Sequence, residues 1–179
     1  MERRLSVADY LDGAETLRRR ELEWGILRDA PSPIYSHQAL VTRLVVLLDA
    51  HVRPRGLGRV VVAPIDVVLD AERALIVQPD VVFVSAARRS IVSRQIWGPP
   101  DLVVEVLSPG TVRRDRGRKL AWYTRYGVRE CWLVVPLPGR IEVHELGAAP
   151  RVRRFGVGRV LRSAVLPELR LRVTDVFEE

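Results

Sequence analysis

Asp80, Glu105 and Lys119 are the side chains in this sequence best suited to chemistry. Glu105 stands in the middle of the apolar stretch Asp101 to Leu107 (DLVVEVL). Alternation along a strand puts Asp101, Val103 and Glu105 on one face and Leu102, Val104 and Val106 on the other. An ionised carboxylate in such a strand is costly unless it is paired or holds a metal. Asp80 follows Pro79 within Val77 to Val84 (VQPDVVFV), another apolar run. Taken singly, Glu105 reads as one half of an ion pair with an arginine, and Asp80 as a turn or edge residue. Taken together, two strand-borne carboxylates are hard oxygen ligands suited to Mg²⁺ or Mn²⁺. That second reading predicts carboxylates within about 4–7 Å of each other, close enough for one cation to touch both.

The chain holds 28 Arg and one Lys, Lys119. Asp115, Lys119 and Tyr123 recur at a spacing of four and share one face of an expected helix. As a solvated pair, Asp115 and Lys119 contribute only a few tenths of a kcal/mol. As part of a site, a lysine ammonium is a compact charge that orients water or offsets charge on a phosphoryl oxygen. Arg113, Arg114, Arg116 and Arg118 around it suit a phosphate backbone.

Other chemistries lack their residues. There is no phosphate-binding GxxxxGK[ST] loop, no GxSxG and no HExxH, and Gly156-Val157-Gly158 lacks the rest of a dinucleotide fingerprint. His37, His51 and His144 have no ligand spacing, although His37 opens a helix from which its ring can face a cleft. One cysteine excludes an internal disulfide and a cysteine zinc site. With 47% hydrophobic and 28% charged residues the chain is globular, and its net charge of +7 favours polyanionic partners. No apolar run approaches the ~20 residues of a membrane span, and Met1-Glu2-Arg3-Arg4 followed by polar residues does not read as a signal peptide. A cytoplasmic protein with no membrane partner is expected.

The elements that must position these residues follow from periodicity. Ser6 caps a first helix running to Arg20, with Val7, Leu11 and Leu17 apolar. Glu21 to Arg28 is a short strand or hairpin arm, stopped by Pro31 and Pro33. Ser36 caps a second helix to about Val52, with Leu40, Leu44, Leu47 and Leu48 at helical spacing. Strands are expected at Arg59 to Leu69, Val77 to Val84 and Asp101 to Leu107, then a helix from Thr111 to Tyr126 ended by Gly127. Glu130 to Val135 and Ile141 to Leu146 form a hairpin, and short strands fill the tail. A strand–helix–strand unit at 101–135 within a strand-rich chain of 179 residues argues one α/β domain, residues 1–179, with a mixed sheet.

One combination of segments resembles a known family. Pro79-Asp80-Val-Val-Phe-Val is followed by Pro100-Asp101-Leu-Val-Val-Glu105-Val-Leu-Ser108-Pro109. Asp115, Lys119 and Tyr123 come next, then Tyr126-Gly127-Val128-Arg-Glu130-Cys-Trp132-Leu-Val. The pattern resembles the bacterial putative restriction endonuclease family, within the PD-(D/E)XK nuclease superfamily. Glu21-Leu22-x-x-Gly25, the helix start at His37 and the tail Leu166-Pro167-Glu168-Leu169 are similar to that family too, so the resemblance covers about residues 15–177. It implies a restriction-endonuclease-like fold, a mixed central sheet flanked by helices. It also implies a Mg²⁺-dependent endodeoxyribonuclease, with Asp80, Glu105 and the backbone carbonyl of Val106 as metal ligands. Leu107 stands where the superfamily has its lysine, and the resemblance implies Lys119 from the next helix instead. Glu21 and His37 join the catalytic candidates on the same ground, although Trp24 replaces an acidic residue often found before Gly25. Nucleic acid, DNA in particular, is the implied partner and a homodimer the implied assembly. The competing readings are a catalytically silent nucleic-acid-binding or scaffold protein with a nuclease fold, and a metal-free acid/base hydrolase using Asp80 and Glu105.

Overall fold

A computed structural model describes residues 4–13, 18–108 and 115–178, with the side chain of Asp115 outside that set. It shows mixed sheets flanked by helices. A short helix α1 (Val7–Leu11) is closed by a capping box: the Ser6 hydroxyl accepts from the Asp9 amide at 3.1 Å, and Asp9 accepts from the Ser6 amide at 2.9 Å. This helix stops at Leu11, well before Arg20, which already belongs to the next strand. Strands β1 (Arg20–Glu23) and β2 (Ile26–Asp29) form the expected hairpin. Trp24 and Gly25 both take positive φ at its turn (55° and 83°), the geometry of a two-residue hairpin loop.

Helix α2 (Tyr35–Val52) has Ile34 as its N-cap with no side-chain cap, so Ser36 lies inside the first turn instead of capping it. Its inner stripe of Val41, Leu44, Leu48 and Val52 is buried. Full burial of a side chain such as Leu44 stabilises by about 1.5–3 kcal/mol.

The expected strand Arg59 to Leu69 is two strands in different sheets: β3 (Gly58–Val62) and β4 (Val67–Asp70). Pro64 between them has no amide hydrogen to extend a ladder. The run Val77 to Val84 is likewise divided into β5 (Leu75–Val77) and β6 (Val81–Ser85), with Pro79 and Asp80 in the link. A 3₁₀ turn (Ala86–Ile91) occupies the Arg- and Ser-rich loop and leads to a two-residue strand β7 (Ile96–Trp97). β8 (Leu102–Val106) follows. A π-helical turn (Asp115–Lys119) runs into α3 (Leu120–Tyr126), which Gly127 ends. β9 (Glu130–Val135), β10 (Arg140–Glu145), β11 (Arg151–Gly156), β12 (Val160–Leu161), β13 (Leu171–Arg172) and α4 (Thr174–Phe177) complete the described chain.

Among the described residues the strands form a five-stranded sheet, β2-β1-β5-β4-β7, a six-stranded sheet, β11-β10-β9-β8-β6-β3, and the small pair β12-β13. β8 and β9 are parallel, joined through α3 as the strand–helix–strand pattern requires, and their other neighbours pair antiparallel. One face of the six-stranded sheet (Leu102, Val104, Val106, Trp132, Val134) packs on α2 and the C-terminal elements. The opposite face (Val103, Leu133) meets α3 and the five-stranded sheet through Trp122, Tyr123, Val67 and Val77. Glu105 shares the Val103 face, so its carboxylate is directed toward α3 and the join between the two large sheets.

Candidate active site

Three carboxylates converge at that join. Glu21 comes from β1 of the five-stranded sheet, Asp80 from the link into β6, and Glu105 from β8. Each is at most 3% exposed. Lys119, also 3% exposed, ties two of them together: its Nζ lies 2.8 Å from Glu105 Oε1 and 3.0 Å from Glu21 Oε1. Among the described residues, Glu105 is thus ion-paired with the chain's one lysine. Tyr123, one helical turn further on, donates its hydroxyl to the same Glu105 oxygen at 2.5 Å. The expected shared face of Lys119 and Tyr123 is thus present. Burial together with the nearby Glu105 and Glu21 charges raises the Tyr123 phenol well above its ordinary pKa, so it stays a donor.

Asp80 has its own set of partners. Its Oδ1 lies 2.5 Å from Arg19 Nη1, and its Oδ2 accepts from the Val106 amide at 2.7 Å and lies 3.3 Å from His37 Nε2. The other Arg19 Nη donates to the Gln78 carbonyl. Burial alone would raise the Asp80 pKa. The hydrogen bond from His37, the Arg19 and His37 charges and the Val106 amide outweigh it and hold the carboxyl below its usual range. The hydrogen bond to Asp80 raises His37 above the ordinary histidine value despite partial burial. For Arg19, burial is outweighed by the charges of Asp80, Glu105 and Glu21, which raise the guanidinium further. Arg19 thus senses all three acids at once. Gln78 bridges the centre's backbone, donating its amide to Glu21 Oε1 at 2.8 Å.

Glu21, His37, Asp80, Glu105 and Lys119 are therefore brought into one connected network, and Val106 contributes its amide to it. Of the arginines expected to hold a phosphate backbone, Arg113 and Arg114 lie outside the described residues. Arg116 pairs with buried Glu142 on β10 at 2.6 Å, and Arg118 with Glu23 at 3.1 Å. Their side chains remain 35% and 65% exposed, beside Lys119 in sequence. Asp101, fully buried, serves elsewhere: it accepts from the Ser85 amide at 2.8 Å and pairs with Arg129 at 3.3 Å.

Sequence reasoning missed Arg19 and Gln78. Gln78 carried a signal, as the lone uncharged polar residue in the apolar run before Pro79-Asp80. Arg19 carried none, being the middle of Arg18-Arg19-Arg20.

The donor chemistry fits a small divalent cation. Among the described residues no group of three or more His, Cys, Asp or Glu side chains is arranged to hold a metal. A magnesium site does not need three, because Mg²⁺ is held by one or two carboxylates and keeps waters and substrate oxygens for the rest. Asp80 and Glu105 supply that number.

The profile of the Uma2 family, described as "Putative restriction endonuclease", matches residues 7–174. No curated protein matches the chain. Among solved structures, a putative nuclease of DUF820 from Anabaena variabilis aligns with a TM-score of 0.79 at 19% identity, covering 97% of each chain.

Proposed function

The chain belongs to the Uma2 putative restriction endonuclease family, and on that premise we propose that it is a divalent-metal-dependent endonuclease that hydrolyses phosphodiester bonds of DNA. The observation that carries this reading is the buried cluster of Glu21, Asp80 and Glu105, with Lys119 paired to Glu21 and Glu105 and Arg19 to Asp80. Burying three carboxylates and a lysine is costly and contributes little to stability compared with apolar packing. Buried ionisable clusters of this kind are what active sites are built from.

In this reading Asp80 and Glu105 hold Mg²⁺ or Mn²⁺, with the Val106 carbonyl as a further ligand. When bound, the cation polarises the scissile phosphate and makes water a better nucleophile at neutral pH. The protein's own residues do the remainder. Glu21 and Glu105 fix the Lys119 ammonium between them, so its charge is already in place when negative charge develops on a phosphate oxygen. Tyr123 holds Glu105 from the other side. His37, 3.3 Å from Asp80 Oδ2, is a positioning residue that fixes this carboxylate. Arg113, Arg114, Arg116 and Arg118, on or next to the turn that carries Lys119, hold the backbone of the nucleic acid. The reading takes the chain as one nuclease domain, working as a cytoplasmic homodimer with one site for each strand.

The test is cleavage of supercoiled plasmid, single-stranded DNA and RNA by metal-stripped protein, with and without Mg²⁺ or Mn²⁺. Metal-dependent nicking of DNA, abolished by Asp80→Asn and Glu105→Gln, is the expected result. Binding of DNA with no cleavage under any metal would refute the enzyme reading in favour of a silent binding protein. Cleavage that persists in chelator would instead make Asp80 and Glu105 a metal-free acid/base pair. Light scattering of the same sample reads the assembly.

A further inference from the structure

Lys119 and Arg19, two cations of the centre, differ in how firmly they are held. Lys119 is 4% exposed at its side chain and is clamped by Glu21 and Glu105. Arg19 is 20% exposed at its side chain and reaches the centre from the rim. Its backbone is anchored, the Ala30 amide donating to its carbonyl at 3.0 Å. Its guanidinium rests on Asp80 Oδ1 and the Gln78 carbonyl, both oxygen acceptors, and feels the charges of Glu21 and Glu105. Those are hard oxygens of the kind a divalent cation takes. A divalent cation on Asp80 Oδ1 would stand directly against the guanidinium, and the two positive charges repel.

Charge points the same way: among the described residues, Arg19 sets a positive charge directly against Asp80 and within the reach of the Glu21 and Glu105 charges.

We propose that Arg19 is an exchangeable counter-ion: its guanidinium occupies the Asp80 side of the centre in the metal-free protein and must swing to the rim when a divalent cation binds. This rests on the metal-dependent reading of the same site. Arg19 therefore stabilises the empty protein and weakens its apparent affinity for metal. If the guanidinium holds the site nine-tenths of the time, the apparent dissociation constant is about tenfold larger than for an open site. Once displaced, the side chain lies at the mouth as a free positive group, where a phosphate would meet it.

The experiment is calorimetric titration of Mn²⁺ and Mg²⁺ into the metal-stripped full chain, with melting curves in chelator and in saturating metal. Arg19→Ala and Arg19→Gln, which keeps a polar but shorter and uncharged side chain, are compared with wild type. Arg20→Ala is the charge-matched control, since Arg20 turns away to Asp29 at 3.0 Å. Both Arg19 variants should bind metal about tenfold more tightly, with Arg20→Ala within about twofold of wild type. Both should melt lower than wild type in chelator, and the gap should close in saturating metal. Should Arg19→Ala fold only when metal is present, that also supports the exchange, and Arg19→Gln gives the affinity. Unchanged or weaker metal binding in Arg19→Gln, with a melting deficit that metal does not repair, would make Arg19 an ordinary structural ion pair. If wild type and every variant bind no divalent metal, both this exchange and the metal-dependent reading fall. Equal binding by wild type and variants overturns the exchange alone.

Discussion

Replacing Lys119 by methionine tests the centre most directly. The change keeps an unbranched side chain only one atom shorter and removes the ammonium, which lies 2.8 Å from Glu105 and 3.0 Å from Glu21. Both carboxylates are nearly inaccessible to water. Removing one partner of such a buried pair costs about 3–5 kcal/mol, because the remaining charge is left uncompensated. For a chain of this size that is roughly 6–20 °C in melting temperature, at about 2–4 °C per kcal/mol. The penalty belongs to the carboxylates, so lowering their charge should relieve it: Lys119→Met/Glu21→Gln should recover about half the loss in a double-mutant cycle. Gln in place of Glu21 keeps an oxygen acceptor for the Gln78 amide, which now donates at 2.8 Å. Nuclease turnover should not recover with stability, and should stay about 10²-fold down, the scale of losing one donor to the transition state. Lys119→Arg should keep more of the stability and still lose about tenfold in rate, because the planar guanidinium is a different shape of charge. Melting curves and plasmid nicking read the two quantities separately. A loss under about 1 kcal/mol in Lys119→Met, or full activity in Lys119→Arg, would show that the centre does not depend on this ammonium.

Glu105→Gln should weaken Mn²⁺ binding by at least about tenfold in calorimetry, since one of the two proposed carboxylate ligands loses its charge. Asp80→Asn should be more stable in urea unfolding than Asp80→Ala by about 1–3 kcal/mol, because Asn keeps an acceptor for the buried Val106 amide and Ala leaves that donor unpaired. A pH effect is expected at His144, whose pKa burial lowers, with Arg116 and Arg154 adding to burial and Glu142 opposing. A depressed histidine pKa gives stability that is fully present above the unfolded value of about 6.5 and is lost as pH falls below it toward the folded value. Wild type should therefore lose stability between about pH 7 and pH 5 relative to His144→Leu, and parallel urea midpoints across that range would contradict it.

The strand–helix–strand unit was legible because both signals were strong. Leu102 to Val106 alternates faces as expected, and the Glu105 face is the one that meets Tyr123 and Lys119. The β9–β10 hairpin and the Glu21 to Arg28 hairpin were likewise local, each strand lying next to its partner in sequence. The divided strands were not legible in full. β3 and β4 read as one β-branched run, and only the tertiary exchange between sheets shows that Pro64 separates them. The end of α1 and the cap of α2 went wrong because residue type suggested a start or continuation that the surrounding chain overrode. Arg19 was invisible for a different reason. Three consecutive arginines have equal propensities, and what singles out the middle one is the position of Asp80, far away in sequence.

The centre lies at this join because the backbone requires acceptors there. In the pairing of β6 with β8, Val81 stands opposite Val104 and the register would carry Val106 opposite Pro79. At that point β6 has not yet begun, so no strand carbonyl continues the ladder toward Val106. The Asp80 carboxylate takes the Val106 amide instead. Glu21 does the same for the Gln78 amide across the gap between β1 and the β5–β6 link. A buried amide must be satisfied, and a carboxylate is a strong acceptor for it. The acids that give the site its charge thus also close the ends of its ladders. That dual use fixes their geometry without any dedicated scaffold. It follows that charge-removing substitutions which keep an oxygen in place separate chemistry from folding at this site, whereas truncations do not.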